Sequence, residues 1–445
     1  MNYQERLQNV SILGAGGKMG SGITLLLAIE VHRIQKLYKG NKPVFFHVNA
    51  IDPSEMGLEG LRVYLKKQLL KIAEKQCVYL RKVYEERKDL IENGDIINAY
   101  VEEVIANVRF STRIEYAYDS YCIFEAIHEN IDLKKKLFSD IFKHSKLTPW
   151  FFTNTSSIPI IEIDKCSGLD GNLLGLHFYN PPLVQKLVEV IPSENTQKDI
   201  FRFAEVLCKH LRKQIVISKD IAGFIGNGHF MQEVLFSLKK VEELSRQMSV
   251  QQALWTMDTV VRDYLMRPMG IFQLIDYVGV DVVCNIMNVM NKRLKGLEFD
   301  YSFLTSALDN KVLGGQNNDG SQKDGLFKYE KGVISAVFNF KTKLYEELGS
   351  KFLPWQEALG EMPEDLIMWK KLIRLSNKEN YLKEIFQGFQ NRKDLGSLLA
   401  MEYAKESKRI ALSLVDCGVA KSKEDVNTVM CLGFFHAYGP INQFF

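Results

Sequence analysis

The chain has 445 residues, of which 46% are hydrophobic and 25% charged. This is the balance of a globular protein with room for about three domains. It excludes a disordered chain, a collagen-like fibre and a disulfide miniprotein. With 57 basic against 54 acidic residues the formal net charge is +3, too near neutral to imply a sequence-blind grip on nucleic acid. Seven cysteines, odd in number and without a C-x-x-C pair, read as reduced thiols of a cytoplasmic protein. No uninterrupted apolar run reaches bilayer length, and Glu5 and Arg6 near the start do not suit a signal peptide, so no membrane insertion is expected.

In chain order, Val10 to Leu13 reads as a strand that stops at glycines, and Ile23 to Leu37 as a helix. Val44 to Val48 is strand-like and ends near Asp52. Leu58 to Glu92 has helical periodicity with no proline, so it is one or two long helices. Cys122 to Ala126 reads as a strand, Ile131 to His144 as a helix, and Trp150 to Asn154 and Leu173 to Phe178 as two more strands. Strands alternating with helices predict a parallel α/β sheet. After Pro192 the pattern is mainly helical to about Leu304. Gly314 to Gly325 is a loop by composition, and helical patterns resume beyond Glu346.

The sequence also repeats itself. At a constant offset of 169 residues, Met257-Asp258-Thr259-Val260-Val261 lies over Val426-Asn427-Thr428-Val429-Met430. The same offset sets Glu233 over Glu402, Lys239-Lys240 over Lys408-Arg409 and Gly270 over Gly439. A gapless offset over so long a stretch favours duplication over chance.

Two stretches carry chemistry. Gly14-Ala15-Gly16-Gly17-Lys18-Met19-Gly20 lies between a strand and a helix, where small residues let a pyrophosphate approach the helix N-terminus. Asp52, at the end of the next strand, suits the ribose hydroxyls of NAD and repels a 2′-phosphate. Its distance from Gly16 exceeds the usual ~20 residues, so the segment His32 to Lys42 is expected to be an insertion. The loop spacing G-x-G-x-x-x-G is also one residue longer than the common form. The second stretch reads Asn154-Thr155-Ser156-Ser157, then His177-Phe178-Tyr179-Asn180-Pro181-Pro182, then Lys186-Leu187-Val188-Glu189-Val190, then Lys219-Asp220-Ile221-Ala222-Gly223-Phe224-Ile225-Gly226-Asn227.

Here the chain resembles the L-3-hydroxyacyl-CoA dehydrogenases, which show S-N-T-S-S, H-F-F-N-P, K-L-V-E-V and K-D-x-P-G-F-x-x-N at matching intervals. Glu125-Ala126 with Glu129-Asn130 is similar to the family's E-A-x-x-E-N, and Pro268-Met269-Gly270 through Gly279 to its P-M-G-P-F-x-L-x-D-x-x-G. The resemblance covers roughly residues 8 to 330. It implies an NAD-dependent oxidoreductase acting on an acyl-CoA, as in fatty-acid β-oxidation. His177 would be the base, held by Glu189, with Ser156 and Asn227 on the substrate oxygen. Asn180 would join Ser156 and Asn227 in substrate binding, and Gly14, Gly16, Gly17, Met19, Asp52, Glu129 and Asn154 would hold NAD. Lys66, Lys67 and Lys71 would lie near CoA phosphates, unless they are only a solvated helix face.

The chemistry of the residues agrees. A histidine titrates near working pH and can take the hydroxyl proton. A carboxylate on its other nitrogen fixes the tautomer, provided two strands bring the pair together. Read without the pattern, Asn227 is a helix cap, Ser156 a turn residue and Glu129 a solvated strand-end acid. No histidine shows metal-ligand spacing, so no metal is expected. The chain departs from the family at the long glycine loop, at Tyr179 and Pro182 (commonly Phe and Val), at Ala222, at Gly228 and at Ile271.

The expected architecture is α/β: a Rossmann-like doubly wound sheet over residues 1–192, a helical domain over 193–345, and a truncated second helical copy over 346–445. The helical copies are expected to pack as an internal pseudo-dimer in a monomer, with a homodimer as the other arrangement. Two other functions stay open at this point: a dehydrogenase of a free hydroxy or sugar acid such as gulonate, and a catalytically silent nucleotide-binding protein.

Overall fold

Short β-branched and aromatic runs alternate with amphipathic helices from the N-terminus onwards. In the computed structural model, which describes residues 2–38, 44–317 and 320–445, these runs form one eight-stranded sheet. Its strands are β1 (Asn9–Leu13), β2 (His47–Ile51), β3 (Val108–Ser111), β4 (Cys122–Glu125), β5 (Trp150–Thr153), β6 (Leu173–Phe178), β7 (Leu187–Ile191) and β8 (Gln214–Ile217). The spatial order is β3-β2-β1-β4-β5-β6-β7-β8. Strands β4 to β7 are buried at every position, as expected for a sheet covered by helices on both faces. All neighbours run parallel except β6 and β7, which are antiparallel with His177 opposite Glu189.

Strand order reverses at β1, which lies between β2 and β4. In open α/β sheets ligands bind beyond the carboxyl ends of the strands at such a reversal. The glycine loop leaves β1 there and enters the helix Lys18–Leu37. The helix is long enough to account for much of the wide spacing between Gly16 and Asp52. The insertion expected from His32 to Lys42 lies partly outside the described residues. Its described part runs to Tyr38, and through Leu37 it continues this helix. The long helical stretch after Asp52 forms two helices, Glu55–Lys75 and Cys77–Val83.

The chain divides into two compact units after Asp220 rather than at residue 192. The helix Lys198–His210 and strand β8 still belong to the first unit, because β8 adds to the sheet through β7. The second unit, from Ile221 onwards, has a single hydrophobic core running from Ala222 to Ala437. It is mainly helical, but the purely helical expectation misses a three-stranded antiparallel sheet: β9 (Phe327–Glu330), β10 (Val333–Asn339) and β11 (Leu344–Glu347). Lys331 and Gly332 join β9 to β10 with positive φ at both positions (50° and 80°), the geometry of a tight hairpin turn. Asp276 anchors the sheet by accepting from Leu326 N (2.7 Å), Phe327 N (2.9 Å) and the Tyr329 hydroxyl (2.8 Å). Burial pushes the Asp276 carboxyl up to about 7.

Features separated by 169 residues adopt like geometry inside the second unit. The helix Gly226–Leu244 corresponds to Leu395–Asp416, and Val250–Thr259 to Lys423–Gly433. Met266 and Phe435 each take positive φ (49° and 57°) at the ends of these segments. Phe272 N donates to Asp258 Oδ1 (2.9 Å) and Ile441 N to Asn427 Oδ1 (3.0 Å). A Cβ on Gly270 would lie 2.1 Å from Asp258 Cγ, and one on Gly439 2.2 Å from Asn427 Cγ. The two helices Gly226–Leu244 and Leu395–Asp416 pack together, with His229 Nε2 3.1 Å from Ser407 O. The Glu233–Arg267 ion pair, at 2.9 Å, donates onward to Ser407 Oγ at 3.2 Å. Gly270→Ala and Gly439→Ala should therefore each destabilise the second unit by about 1–3 kcal/mol through overpacking, measured as a shift in urea midpoint. A Gly439→Ala protein with the parent's midpoint would mean that the two glycines are not equivalent.

Candidate active site

The glycine loop is shaped for close backbone approach. Gly14 has φ +78°, and a Cβ there would lie 2.6 Å from Ala126 O. A Cβ on Gly20 would lie 2.0 Å from Gly14 O, so the helix can begin against the loop only with glycine at both positions. Gly17 caps the helix and provides no side chain to its first-turn amides. Gly17 N donates to Gly14 O at 3.1 Å, which accommodates the extra loop residue in a turn. Met19 packs half-buried against the core of the first unit. Asp52 closes the far side. Its Oδ2 accepts from Gly16 N (3.0 Å) and its Oδ1 from Ser54 N (2.9 Å). Helix dipole, glycine backbone and this carboxylate fit a pyrophosphate and an unphosphorylated ribose, as NAD requires.

Beyond β4 lies a buried charge cluster. Lys134 Nζ is bonded to both oxygens of Glu125 (2.7 and 2.8 Å) and lies 3.4 Å from Glu129 Oε2. Thr153 Oγ1 donates to Glu125 at 2.6 Å. Glu129 Oε1 collects Thr155 Oγ1 (2.7 Å), Ser156 N (2.9 Å), Ser156 Oγ (3.2 Å), Ser157 N (3.0 Å) and Ser157 Oγ (3.0 Å). Burial acts to raise the Glu129 carboxyl, but the Lys134 ammonium and these donors outweigh it and hold it below the ordinary range. Burial acts to lower Lys134, and the two carboxylates outweigh that and raise it. Glu129 is thus no solvated strand-end acid, and Ser156 is more than a turn residue, since it helps to hold Glu129. Asn154, at the end of β5, accepts from Phe178 N at 2.7 Å and so ties β5 to the strand that carries His177.

His177 is 8% exposed and Glu189 fully buried. Directly opposed residues of antiparallel strands project to the same face with Cβ atoms about 5 Å apart, so the register sets the two side chains expected to form the dyad opposite each other on one face. Burial pushes the His177 imidazole down to about 4, partly offset by the Glu129 carboxylate. Asn180 follows at the start of the loop after β6. Lys213 holds this loop through the carbonyls of Pro182 and Gln185. Asp220 caps the helix Ile160–Ser167 by accepting from Ile160 N (2.5 Å) and Ile161 N (2.7 Å). Asn227 lies in the first turn of the helix Gly226–Leu244 and belongs to the second unit. Lys66, Lys67 and Lys71 are exposed on a helix whose other face buries Leu58, Leu61, Leu65 and Leu69. Among the described residues no group of histidine, cysteine or acidic side chains could hold a metal.

Sequence reasoning passed over Lys134, Thr155 and Lys213, gave Glu125 no role, and noted Tyr179 only as a departure. Lys134 left a signal. With Phe138 and Ile141 it occupies the buried stripe of the helix Ile131–His144, where a lysine requires a buried partner.

Residues 47–221 match the description "3-hydroxyacyl-CoA dehydrogenase, NAD binding domain", and residues 223–324 match "3-hydroxyacyl-CoA dehydrogenase, C-terminal domain". The match begins downstream of the glycine loop, whose part in cofactor binding rests on the geometry above. A probable 3-hydroxyacyl-CoA dehydrogenase of Caenorhabditis elegans is 28% identical over 326 residues, covering 73% of this chain and 94% of the relative. The mitochondrial hydroxyacyl-coenzyme A dehydrogenase of Rattus norvegicus is 28% identical over 285 residues, 63% of this chain and 79% of its own. Among solved structures, 3-hydroxybutyryl-CoA dehydrogenase from Escherichia coli K12 shares the fold with a TM-score of 0.63 at 21% identity, over 98% of this chain and 90% of its own. The (S)-3-hydroxybutyryl-CoA dehydrogenase of Ralstonia eutropha gives 0.54 at 22% identity, over 73% of this chain and 100% of its own. With both of the family's domains present in order, the chain belongs to the 3-hydroxyacyl-CoA dehydrogenase family and carries its NAD-binding domain.

Proposed function

We propose that this chain interconverts an L-3-hydroxyacyl-CoA and a 3-ketoacyl-CoA, with His177 carrying the hydroxyl proton. The observation that carries the reading is the pairing of His177 with Glu189 across β6 and β7. Bound NAD would supply the hydride acceptor for the carbinol carbon. His177 is neutral at physiological pH because burial disfavours its cation. It therefore stands ready to accept the proton, and Glu189 stabilises the imidazolium that results. Ser156, Asn180 and Asn227 are assigned to the substrate and its oxygen, which gains negative charge during ketone reduction. Gly14, Gly16, Gly17, Met19 and Asp52 are assigned to the pyrophosphate and ribose, and Glu129 and Asn154 to the nicotinamide side.

Residues 346–445 are assigned as a second copy of the helical domain, supported by the like geometry at an offset of 169 residues. Packed on the first copy, it forms an internal pseudo-dimer, which favours a monomer, with a homodimer as the other arrangement. Among the described residues no single helix is long and apolar enough to cross a membrane. All seven cysteines are unpaired, which supports a reducing compartment such as the cytoplasm. The reaction places the chain in fatty-acid β-oxidation or short-chain acyl-CoA metabolism.

NADH oxidation by acetoacetyl-CoA is the direct test. His177→Ala should lower turnover about 10²–10⁴-fold while NADH still binds. A mutant that turns over like the parent would remove His177 from the mechanism, and a parent active only on free hydroxy acids would redirect the substrate assignment. Lys134→Met should cost about 3–5 kcal/mol of stability, because it leaves Glu125 buried without its counter-charge. Chemical denaturation reads this, and a change below 1 kcal/mol would show that the carboxylates find another partner.

A further inference from the structure

The family's common Phe is a tyrosine at position 179, and its hydroxyl does not face solvent. Tyr179 is 8% exposed and donates to Glu189 Oε1, the carboxylate of the residue directly opposite His177 in the strand register. Its ring also lies against the imidazole, with centroids 4.9 Å apart and planes at 44°. The charged groups facing His177 are Glu189 from β7 and Glu129 from the turn after β4, the latter tied to Lys134 on the following helix.

We propose that Tyr179 is a positioning residue of the dyad, whose hydroxyl fixes the Glu189 carboxylate and takes up part of its negative charge, so that His177 faces a weaker anion than phenylalanine would leave. This rests on the assignment of His177 as the proton carrier. A carboxylate that accepts a further hydrogen bond has less charge to offer a second partner. The imidazolium is then less favoured, and His177 is a poorer proton acceptor but a better proton donor. Tyr179 therefore biases the dyad toward the ketone-reducing direction, where the imidazolium must give up its proton. Burial and the Glu189 charge hold the phenol well above its ordinary range, so it stays protonated and remains a donor throughout the working pH range.

Tyr179→Phe isolates the hydroxyl, because the ring against His177 is kept. Removing the donor restores the full charge on Glu189 and favours the imidazolium. The His177 titration, followed by NMR of protein labelled in its histidine rings, should move up by about 0.5–1 pH unit. The acid limb of kcat/KM for hydroxyacyl-CoA oxidation should move up with it. Below that limb the variant would run about three- to tenfold slower than the parent, and at pH 9 within about twofold. In a Glu189→Gln background the same substitution should shift nothing. An unchanged titration, or a changed KM for the acyl-CoA with an unmoved pH profile, would overturn the proposal. The NMR titration needs no turnover, so an inactive parent would overturn the dehydrogenase assignment while Tyr179 is still decided.

Discussion

One antiparallel pairing in an otherwise parallel sheet positions the residues assigned to the chemistry. In a parallel sheet, adjacent strands are joined by long crossovers, and facing side chains come from distant parts of the chain. Here β6 turns back into β7, and the register opposes His177 to Glu189. A slip of one residue would send every side chain of β7 to the other face and put Val188 or Val190 opposite the imidazole. The register is fixed from outside the pair. Asn154 ties Phe178 to β5, Lys213 on the β8 side clamps the connecting loop, and β8 pairs Val216 against Glu189. The opposition of His177 to Glu189 is therefore a property of the sheet rather than of a loop.

The second constraint is electrostatic. An unpaired acid buried like Glu125 would be neutral or strongly destabilising. Lys134 resolves this by entering from the helix that follows β4, with its bonds to Glu125 completed by Thr153. The Thr155-Ser156-Ser157 turn then wraps around Glu129. A charged residue beside His177 is thus held in one orientation by backbone amides and hydroxyls, so its field at the imidazole is fixed before any ligand arrives.

Much of this was legible in the sequence because sheets and helices are local patterns. The helix Ile131–His144 and the strand Leu173–Phe178 have the bounds expected from periodicity. The strand–glycine–helix unit and the acid at Asp52 were legible because each residue type meets a geometric need. What was not legible depends on contacts across elements. The role of Lys134 follows from which face of its helix is buried. That of Tyr179 follows from a diagonal neighbour two residues from the cross-strand pair. Strands β9 to β11 fall between the loop read over Gly314 to Gly325 and the helical pattern beyond Glu346, in a stretch given no element of its own, and Asp276 stabilises them from a distant helix. The boundary at residue 192 followed a shift in composition, but composition does not register that β8 returns to the sheet.

The two halves of the second unit solve one packing problem with different atoms. In the first, a carboxylate at 258 can only accept, so it takes two amides, Phe272 N and Gln273 N, and its charge is faced by Arg262 at 3.5 Å. Burial still raises it to about 6. In the second, the amide at 427 both accepts from Ile441 N and donates to Ile441 O at 2.8 Å. It clasps one residue with no charge to neutralise, and the position matching Arg262 is Cys431. Each glycine opposite, 270 and 439, is required by the side chain it faces and not by its own φ. Arg262 is itself held by Asp263 at 2.7 Å, so it lends Asp258 a counter-charge without depending on it, whereas the amide at 427 needs no counter-charge at all. The second half is held by helix packing and by this hydrogen-bonded clasp, while the residues assigned to chemistry belong to the first 227 positions.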